Sequence, residues 1–323
     1  MTRILITAAA GCILTGGIGY LLLPVLRALK AGQSIREIGP TWHNSKAGTP
    51  MMGGLMFIFG TILCLVGNFP AMSDDSPFYV LALALCFGLI GFLDDFTKVK
   101  FHRNLGLTTL QKAMLQMAVS ALFLYAMYRS GFMDTHLYIP FMNVSFQLHP
   151  IVYIFFAMFV MVGTDNAVNL TDGVDGLSAS LAVVTIGTYL IAYHEELADY
   201  STAGVVFMGA LLAYLWSNAK PSTLLMGDAG SRAMGFFIAI LSLKCGHPFA
   251  FLLAAIVFIV DGSLGILKIS LKRFLHISIL KNTRTPLHDH VRKNKGWSDE
   301  QVVARWLILQ CVASALLLLV VHG

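Results

Sequence analysis

Ten apolar runs recur along the chain, near residues 4–29, 51–69, 78–93, 111–129, 148–163, 176–193, 203–217, 232–245, 248–271 and 302–321, with short polar breaks between them. Crossing ~30 Å of hydrocarbon takes roughly 20 apolar residues in a helix, and most of these runs approach that length. Inside a bilayer each backbone N–H and C=O must bond within its own segment, so such runs fold as helices. The expected fold is therefore all-α: a polytopic membrane protein with about ten transmembrane helices. The runs at 148–163, 203–217 and 232–245 are short, and read as tilted spans or as partly inserted segments. No stretch between runs is long enough for a separate soluble body, so one domain, 1–323, is expected. Composition excludes the alternative of a water-soluble domain. At 57% hydrophobic and 12% charged residues, with a mean hydropathy of +0.74, one core could not bury so much apolar side chain.

Two further features fit this picture. The N-terminal run continues from Arg3 through Pro24 to Leu29 without a small-residue cleavage pattern, and it is too long for a secretory leader. It is expected to be a retained first helix. The five cysteines lie in or at the ends of apolar runs with no CxxC pair, so they read as packing residues rather than as disulfides or a zinc site.

Orientation follows from the basic residues, because cytoplasmic loops carry an excess of Lys and Arg. With ten spans, 19 of the 22 Lys and Arg residues fall on one side. They follow the first, third and seventh runs and crowd the loop before the last, where Lys268, Lys272, Arg273, Lys281, Arg284, Arg292, Lys293, Lys295 and Arg305 lie. The opposite loops carry acids: Asp74, Asp75, Glu195, Glu196 and Asp199. Both termini are thus expected outside the cytoplasm. No internal repeat of the kind common in carriers is visible.

The dense polar motifs all fall in loops that this topology had already placed in the cytoplasm. Ser45-Lys46-Ala47-Gly48-Thr49-Pro50-Met51-Met52-Gly53-Gly54 opens the second run, with a helix start as its plainest reading. The third run ends in Asp94 and Asp95, followed by Lys98. Adjacent carboxylates repel and raise one pKa unless a cation compensates, which suits metal-assisted phosphate chemistry or proton acceptance, or simply a helix end neutralised by Lys98. A loop from Gly163 to Leu177 holds Asp165, Asn166, Asn169, Asp172 and Asp175 without a basic residue. Its Asn and Asp groups can read a base edge or ribose hydroxyls, and it lacks the register of a calcium loop. Gly227-Asp228-Ala229-Gly230-Ser231 follows Asn218, with Asp228 either a helix cap or a metal ligand. Pro286-Leu287-His288-Asp289-His290 sits among basic residues in the last loop, a setting that fits anionic lipid or a substrate with two phosphates. If these loops converge, they offer carboxylates for Mg²⁺, cations for phosphate oxygens and polar groups for a nucleoside, which is most of what phosphoryl transfer requires.

Asp94, Asp95 and Lys98, the run from Asn166 to Leu177, Gly227 to Ser231 and the histidine loop together resemble the polyprenyl-phosphate N-acetylhexosamine-1-phosphate transferases, in the same order and over nearly the whole chain. Within that superfamily, the motif from Ser45 to Gly54 and the stretch from Pro286 to Lys295-Gly296-Trp297 resemble the phospho-N-acetylmuramoyl-pentapeptide transferases. The resemblance implies ten helices in the bacterial cytoplasmic membrane, a cytoplasmic active site, Mg²⁺ dependence and, often, a homodimer. It also implies a role in peptidoglycan synthesis, in which UDP-N-acetylmuramoyl-pentapeptide and undecaprenyl phosphate give lipid I and UMP. No nucleic-acid partner is expected. Carried onto this sequence, Asp228 becomes the first Mg²⁺ ligand, with Asp172 beside it in the metal region. Asp94 and Asp95 handle the lipid phosphate, one as its base, and His288 assists at the diphosphate. Asn169, Asp172 and Asp175 line the nucleoside, while Lys46, Lys98, Asn218 and His290 are further substrate contacts.

One departure is plain. Members commonly show three consecutive histidines where this chain has His288-Asp289-His290, so the middle one is replaced by a carboxylate. Two rival readings remain at this point. One is a sister enzyme transferring N-acetylglucosamine 1-phosphate, against which Lys295-Gly296-Trp297 and the Ser45–Gly54 motif speak. The other is an ion-coupled transporter, which predicts acids in mid-span, whereas only Asp261 is clearly embedded in an apolar run.

Overall fold

A computed structural model describes residues 2–29, 48–68, 76–100, 106–129, 131 and 134–322, except for the side chains of 2–5, 68, 76–83 and 99. Its helices are α1 (Thr2–Ala28), α2 (Gly54–Asn68), α3 (Ser76–Lys100), α4 (Thr109–Arg129), α5 (Pro150–Thr171), α6 (Leu177–Ala192), α7 (His194–Leu197), α8 (Tyr200–Asn218), α9 (Gly227–Lys244), α10 (Phe251–Ala254), α11 (Ile256–Phe258), α12 (Leu264–Phe274), α13 (Leu287–Lys295) and α14 (Asp299–His322). Each apolar run of the sequence is thus helical. Among the described residues, five helices are long and apolar enough to cross a membrane: Ile6–Ala28, Thr109–Arg129, Pro150–Thr171, Tyr200–Asn218 and Asp299–His322. The bent pair Pro248–Ala254 and Ile256–Phe274 makes a sixth if it is one span. Large apolar side chains stand exposed along these helices, Trp216 at 91% and Phe159 at 76% among them. A soluble protein seldom leaves such faces bare, and lipid is the solvent that suits them. The chain is an all-α, multi-pass membrane protein.

Four local features depart from the sequence expectations. The stretch 129–148 carries a two-stranded antiparallel hairpin, β1 (His136–Ile139) with β2 (Val144–Gln147), paired His136 to Gln147 through Ile139 to Val144. The polar stretch from Gly163 was expected to be a loop, yet α5 continues through it to Thr171. Polar residues there bond back to their own helix, Asn166 donating to the Val162 carbonyl and Thr171 to that of Ala167. Only residues 172–176 turn. The last basic loop contains a helix of its own, α13. Finally, the run 248–271 is broken, with an 81° bend at Ala255.

The chain divides into two compact units, each built from separated stretches: Met1–Phe123 with Asp199–Met234, and Leu124–Ala198 with Gly235–Gly323. In the first, α1 packs on α8 and α2, and α2 on α8. Small residues let the helices close up. A Cβ on Gly11 would stand 2.8 Å from the Val206 carbonyl, and one on Gly209 would overlap that of Ala8. Phe57 fills the space between α2 and α8, edge-on to both Phe207 and Tyr214. In the second unit, α14 packs on α6 and α10, and α5 on the π-helical turn Ile259–Ser263 that follows α11. Thr188 of α6 donates to the Ser314 hydroxyl of α14.

The break at Ala255 is satisfied from a distant helix. Fully buried Gln310 of α14 donates to the carbonyls of Leu253 and Ala254, and its own oxygen accepts from the Val257 N–H. The bend would otherwise strand these backbone groups in an apolar medium. Downstream, the π-helical turn holds Asp261, 1% exposed.

Candidate active site

In the first unit, three stretches meet at one point. The segment after Thr49 pairs with the one before Gly227: Leu225 N–H donates to the Pro50 carbonyl at 2.8 Å, Gly53 N–H to that of Leu225 at 2.8 Å, and Gly54 N–H to that of Met226 at 2.9 Å. A Cβ on Gly54 would collide with the backbone of Gly230. The Thr-Pro-x-Met-Gly-Gly motif is therefore a cradle for the turn leading into α9. That turn ends at Gly227, with φ of +76°, where a Cβ would press on the Asp95 carboxylate. Asp228 follows in the first turn of α9, so it is a helix-start residue aimed across at α3. Its backbone lies directly against Gly91, where any side chain would overlap the Asp228 carbonyl.

These contacts bring Asp94, Asp95 and Asp228 together, each offering an oxygen within 4.8 Å of the others. Asp94 and Asp95 are fully buried. At an effective dielectric near 20, two charges ~4 Å apart repel by about 4 kcal/mol, so the trio needs cations. Lys98 reaches all three: Asp94 at 2.5 Å, Asp95 at 3.4 Å and Asp228 at 3.5 Å. Lys112 of α4 joins Asp94 at 2.8 Å and Asp228 at 2.9 Å. The Leu107 N–H donates to Asp94 at 2.6 Å, and the Ala229 N–H to Asp95 at 3.2 Å.

The surroundings push two of these carboxyls apart. Asp95 lies beyond the apolar run that ends at Leu93. Burial, reinforced by Asp228, pushes it up to about 7 against the pull of Lys98. Burial also works to raise Asp228, but Lys98, a hydrogen bond with Asp94, Lys112 and Arg232 together outweigh it and hold that carboxyl well below the usual range. Asp228 is thus a permanent anion, whereas Asp95 exchanges its proton near neutrality.

The sequence pointed to Asp94, Asp95, Lys98 and Asp228, which the fold brings together. It did not point to Lys112, which entered only as one positive charge in a cytoplasmic loop; its place 18 residues after Asp94 gave no sign of the contact. Asn218 lies at the end of α8, where its amide donates to the Leu224 carbonyl at 3.0 Å and steadies the loop leading to Gly227. Asp172 belongs to the second unit. Lys46 falls outside the described residues.

The second unit holds the remaining candidates. Asn169 is in the last turn of α5, and its carbonyl accepts from the N–H of Asp172, the residue that ends the helix. Asp175 follows in the turn to α6, which begins after Gly176 at φ of +79°. His288, in the first turn of α13 and 2% exposed, faces this same turn: a Cβ on Gly173 would overlap its Nε2. Its other nitrogen, Nδ1, lies 2.7 Å from Asp261, which also accepts from the His288 N–H at 2.6 Å and the Trp306 indole at 3.2 Å. Asp261 was visible in the sequence as an acid in an apolar run, a standing sign of function, but nothing in its neighbours tied it to a histidine 27 positions on. Nδ1 of His290 accepts from the Arg284 N–H. Asp289, at the departure from the three-histidine pattern, lies 3.4 Å from Arg292, so its charge is met within α13.

Comparison with known proteins bears on both groups. Residues 77–246, which include Asp94, Asp95, Asn169, Asp172, Asp175 and Asp228, match glycosyl transferase family 4. The chain is 36% identical over 314 residues to the phospho-N-acetylmuramoyl-pentapeptide-transferase of Enterococcus hirae, covering 95% of each chain. It is 38% identical over 303 residues to that of Bacillus subtilis strain 168, covering 93% of this chain and 92% of the relative. Against the Listeria monocytogenes enzyme it is 38% identical over 292 residues, with 88% and 87% covered. With the carboxylate trio, the glycine contacts that assemble it and likeness along nine-tenths of its length, the chain belongs to the phospho-N-acetylmuramoyl-pentapeptide-transferase family.

Proposed function

We propose that this protein transfers phospho-N-acetylmuramoyl-pentapeptide from its UDP-linked donor to undecaprenyl phosphate, forming lipid I and UMP for peptidoglycan synthesis. The carrying observation is the trio of Asp94, Asp95 and Asp228 bridged by Lys98 and Lys112 in a member of this family. Ten spans in the bacterial inner membrane, both termini outside, the trio at the cytoplasmic face and a homodimer complete the reading.

Three hard carboxylate oxygens so close together suit Mg²⁺. Asp94, Asp95 and Asp228 would hold the ion. Bound there, it would neutralise charge developing on the phosphoryl oxygens. In the reaction an oxygen of the lipid phosphate attacks the phosphorus attached to the sugar, and the bond from that phosphorus to the bridging oxygen breaks, so that UMP leaves. Asp94 accepts hydrogen bonds from Leu107 and Lys112 and pairs with Lys98, which makes it a poor base or nucleophile. Asp95 is the proposed acceptor of a proton from the lipid phosphate; its shift to about 7 belongs to the metal-free trio, and a bound ion lowers it. Lys98 and Lys112 neutralise phosphate oxygens. Asn169, Asp172 and Asp175 are proposed contacts of the nucleoside, and His288 and His290 of the diphosphate, with Lys46 and Asn218 as outer contacts.

The test is UMP release by detergent-purified protein with undecaprenyl phosphate and Mg²⁺, comparing UDP-N-acetylmuramoyl-pentapeptide with UDP-N-acetylglucosamine, each with a chelator control. Chelator-sensitive release from the muramoyl donor alone is expected. Release from the other donor alone would make it the sister enzyme, and release from neither would revive the transporter. Asp228→Ala is expected to bring turnover below detection in folded protein.

A further inference from the structure

We infer that Asp261 is a positioning residue for His288, and that it fixes which imidazole nitrogen carries the proton and where the other one points. This rests on the proposed part of His288 in the transfer reaction, and no motif of the sequence assigns it.

Asp261 stands 1% exposed in the π-helical turn, in the middle of what the sequence presents as an apolar run. An acid in such a place is costly unless its lone pairs are filled. Three donors fill them: the His288 backbone N–H, the His288 ring and the Trp306 indole N–H. Two of the three come from one residue, so the carboxylate grips the histidine by backbone and side chain together. A carboxylate accepts and does not donate, hence Nδ1 carries a proton, and in the neutral ring Nε2 presents its lone pair. That nitrogen faces Gly173, in the Asp172–Asp175 turn proposed to meet the donor. A side chain at 173 would displace the ring.

The acid is itself held. Trp306 sits edge-on to Trp297 at 5.7 Å, and the Arg305 guanidinium lies 4.0 Å over the Trp297 ring. Trp297, the end of the Lys295-Gly296-Trp297 stretch, so braces the indole that donates to Asp261. The bend at Ala255 and the π-helical turn after it bring this carboxylate to α13; an unbroken helix would aim position 261 elsewhere. A helix break that is itself satisfied by Gln310, a π-helical turn and an aromatic stack thus converge on the orientation of one ring.

The test uses the full-length protein in nanodiscs with ¹⁵N-labelled histidine, the His288 signals being identified by their loss in His288→Gln. Wild type is expected to show Nδ1 protonated and Nε2 bare. In Asp261→Asn, which is nearly isosteric, that preference is expected to disappear, while kcat falls about 10- to 100-fold and KM changes little, the usual range when an outer partner of a functional histidine is lost. Asp261→Glu is expected to restore part of both. An unchanged tautomer in folded Asp261→Asn overturns the inference. A lost tautomer preference with wild-type turnover upholds the positioning and instead removes His288 from the reaction. Trp306→Phe keeps a ring and the charged acid but loses one donor, so it should retain the tautomer and lower kcat less than the asparagine variant. A loss as large as that of Asp261→Asn would mean that packing rather than the carboxylate governs the ring, and would overturn the proposal.

Discussion

At the scale of single residues, the carboxylate trio ties ion binding to pH. Asp95 is pushed up to about 7, first by burial and then by Asp228, so near neutral pH a large share of it carries a proton. A metal ion accepts only the carboxylate, and binding therefore displaces that proton. At pH 7, Mg²⁺ uptake is expected to release about half a proton, approaching a whole one at pH 5 and none at pH 9. Affinity should accordingly rise with pH through 7 and level off above. Calorimetric titration of Mg²⁺ in buffers of different ionisation enthalpy measures this directly; heats that ignore the buffer at pH 7 would take Asp95 away from the ion. Lys112 supplies a second prediction. It lies 2.8 Å from Asp94 and 2.9 Å from Asp228, and a positioned cation at a developing phosphate charge is worth roughly 10²–10³ in rate. Lys112→Met is expected to lower kcat by about that factor in folded protein, with UMP release as the readout; a change under threefold would reduce Lys112 to neutralising the empty trio.

At the scale of elements, the broken run between Pro248 and Phe274 depends on a side chain some fifty residues away. Gln310→Leu removes two bonds to the carbonyls of Leu253 and Ala254 and one from the Val257 N–H. Each buried backbone group left without a partner costs about 1–3 kcal/mol, so thermal unfolding should begin several degrees lower. Lipid-facing Leu309→Ala, next in sequence and 56% exposed, should shift it far less. Equal shifts would mean that the bend does not need the glutamine. The same element marks the limit of reading from sequence. Clusters such as Asp94-Asp95 and Gly227-Asp228 were legible because polar and glycine residues stand out sharply against apolar surroundings. The break was not, because an apolar run looks alike whether straight or bent, and its cause lies in another helix. The 163–171 stretch misled in the opposite sense: polarity suggested a loop, but a helix that leaves the apolar run can carry polar residues such as Asn166 and Thr171, whose side chains bond back to it.

At the scale of the whole molecule, orientation decides whether the proposed chemistry has access to its donor. A nucleotide-linked substrate is made in the cytoplasm, so the trio serves it only if the basic loops face that side. The Lys and Arg distribution argues that they do, and ten spans then put α7 outside and the loop before α13 inside. In a background with all five cysteines replaced, Glu195→Cys should react with a membrane-impermeant maleimide in intact spheroplasts, whereas Lys281→Cys should react only after permeabilisation. Both positions are exposed, so accessibility within the protein is not what separates them. An inverted result would place the trio on the face away from the nucleotide pool, and the transfer reaction could not proceed as written however well Asp94, Asp95 and Asp228 are arranged. Labelling of both positions from one side would instead mean an even number of crossings between α7 and α13. The segments to re-examine would then be α9, short for a span, and the bent pair, which can enter and leave the bilayer by one face.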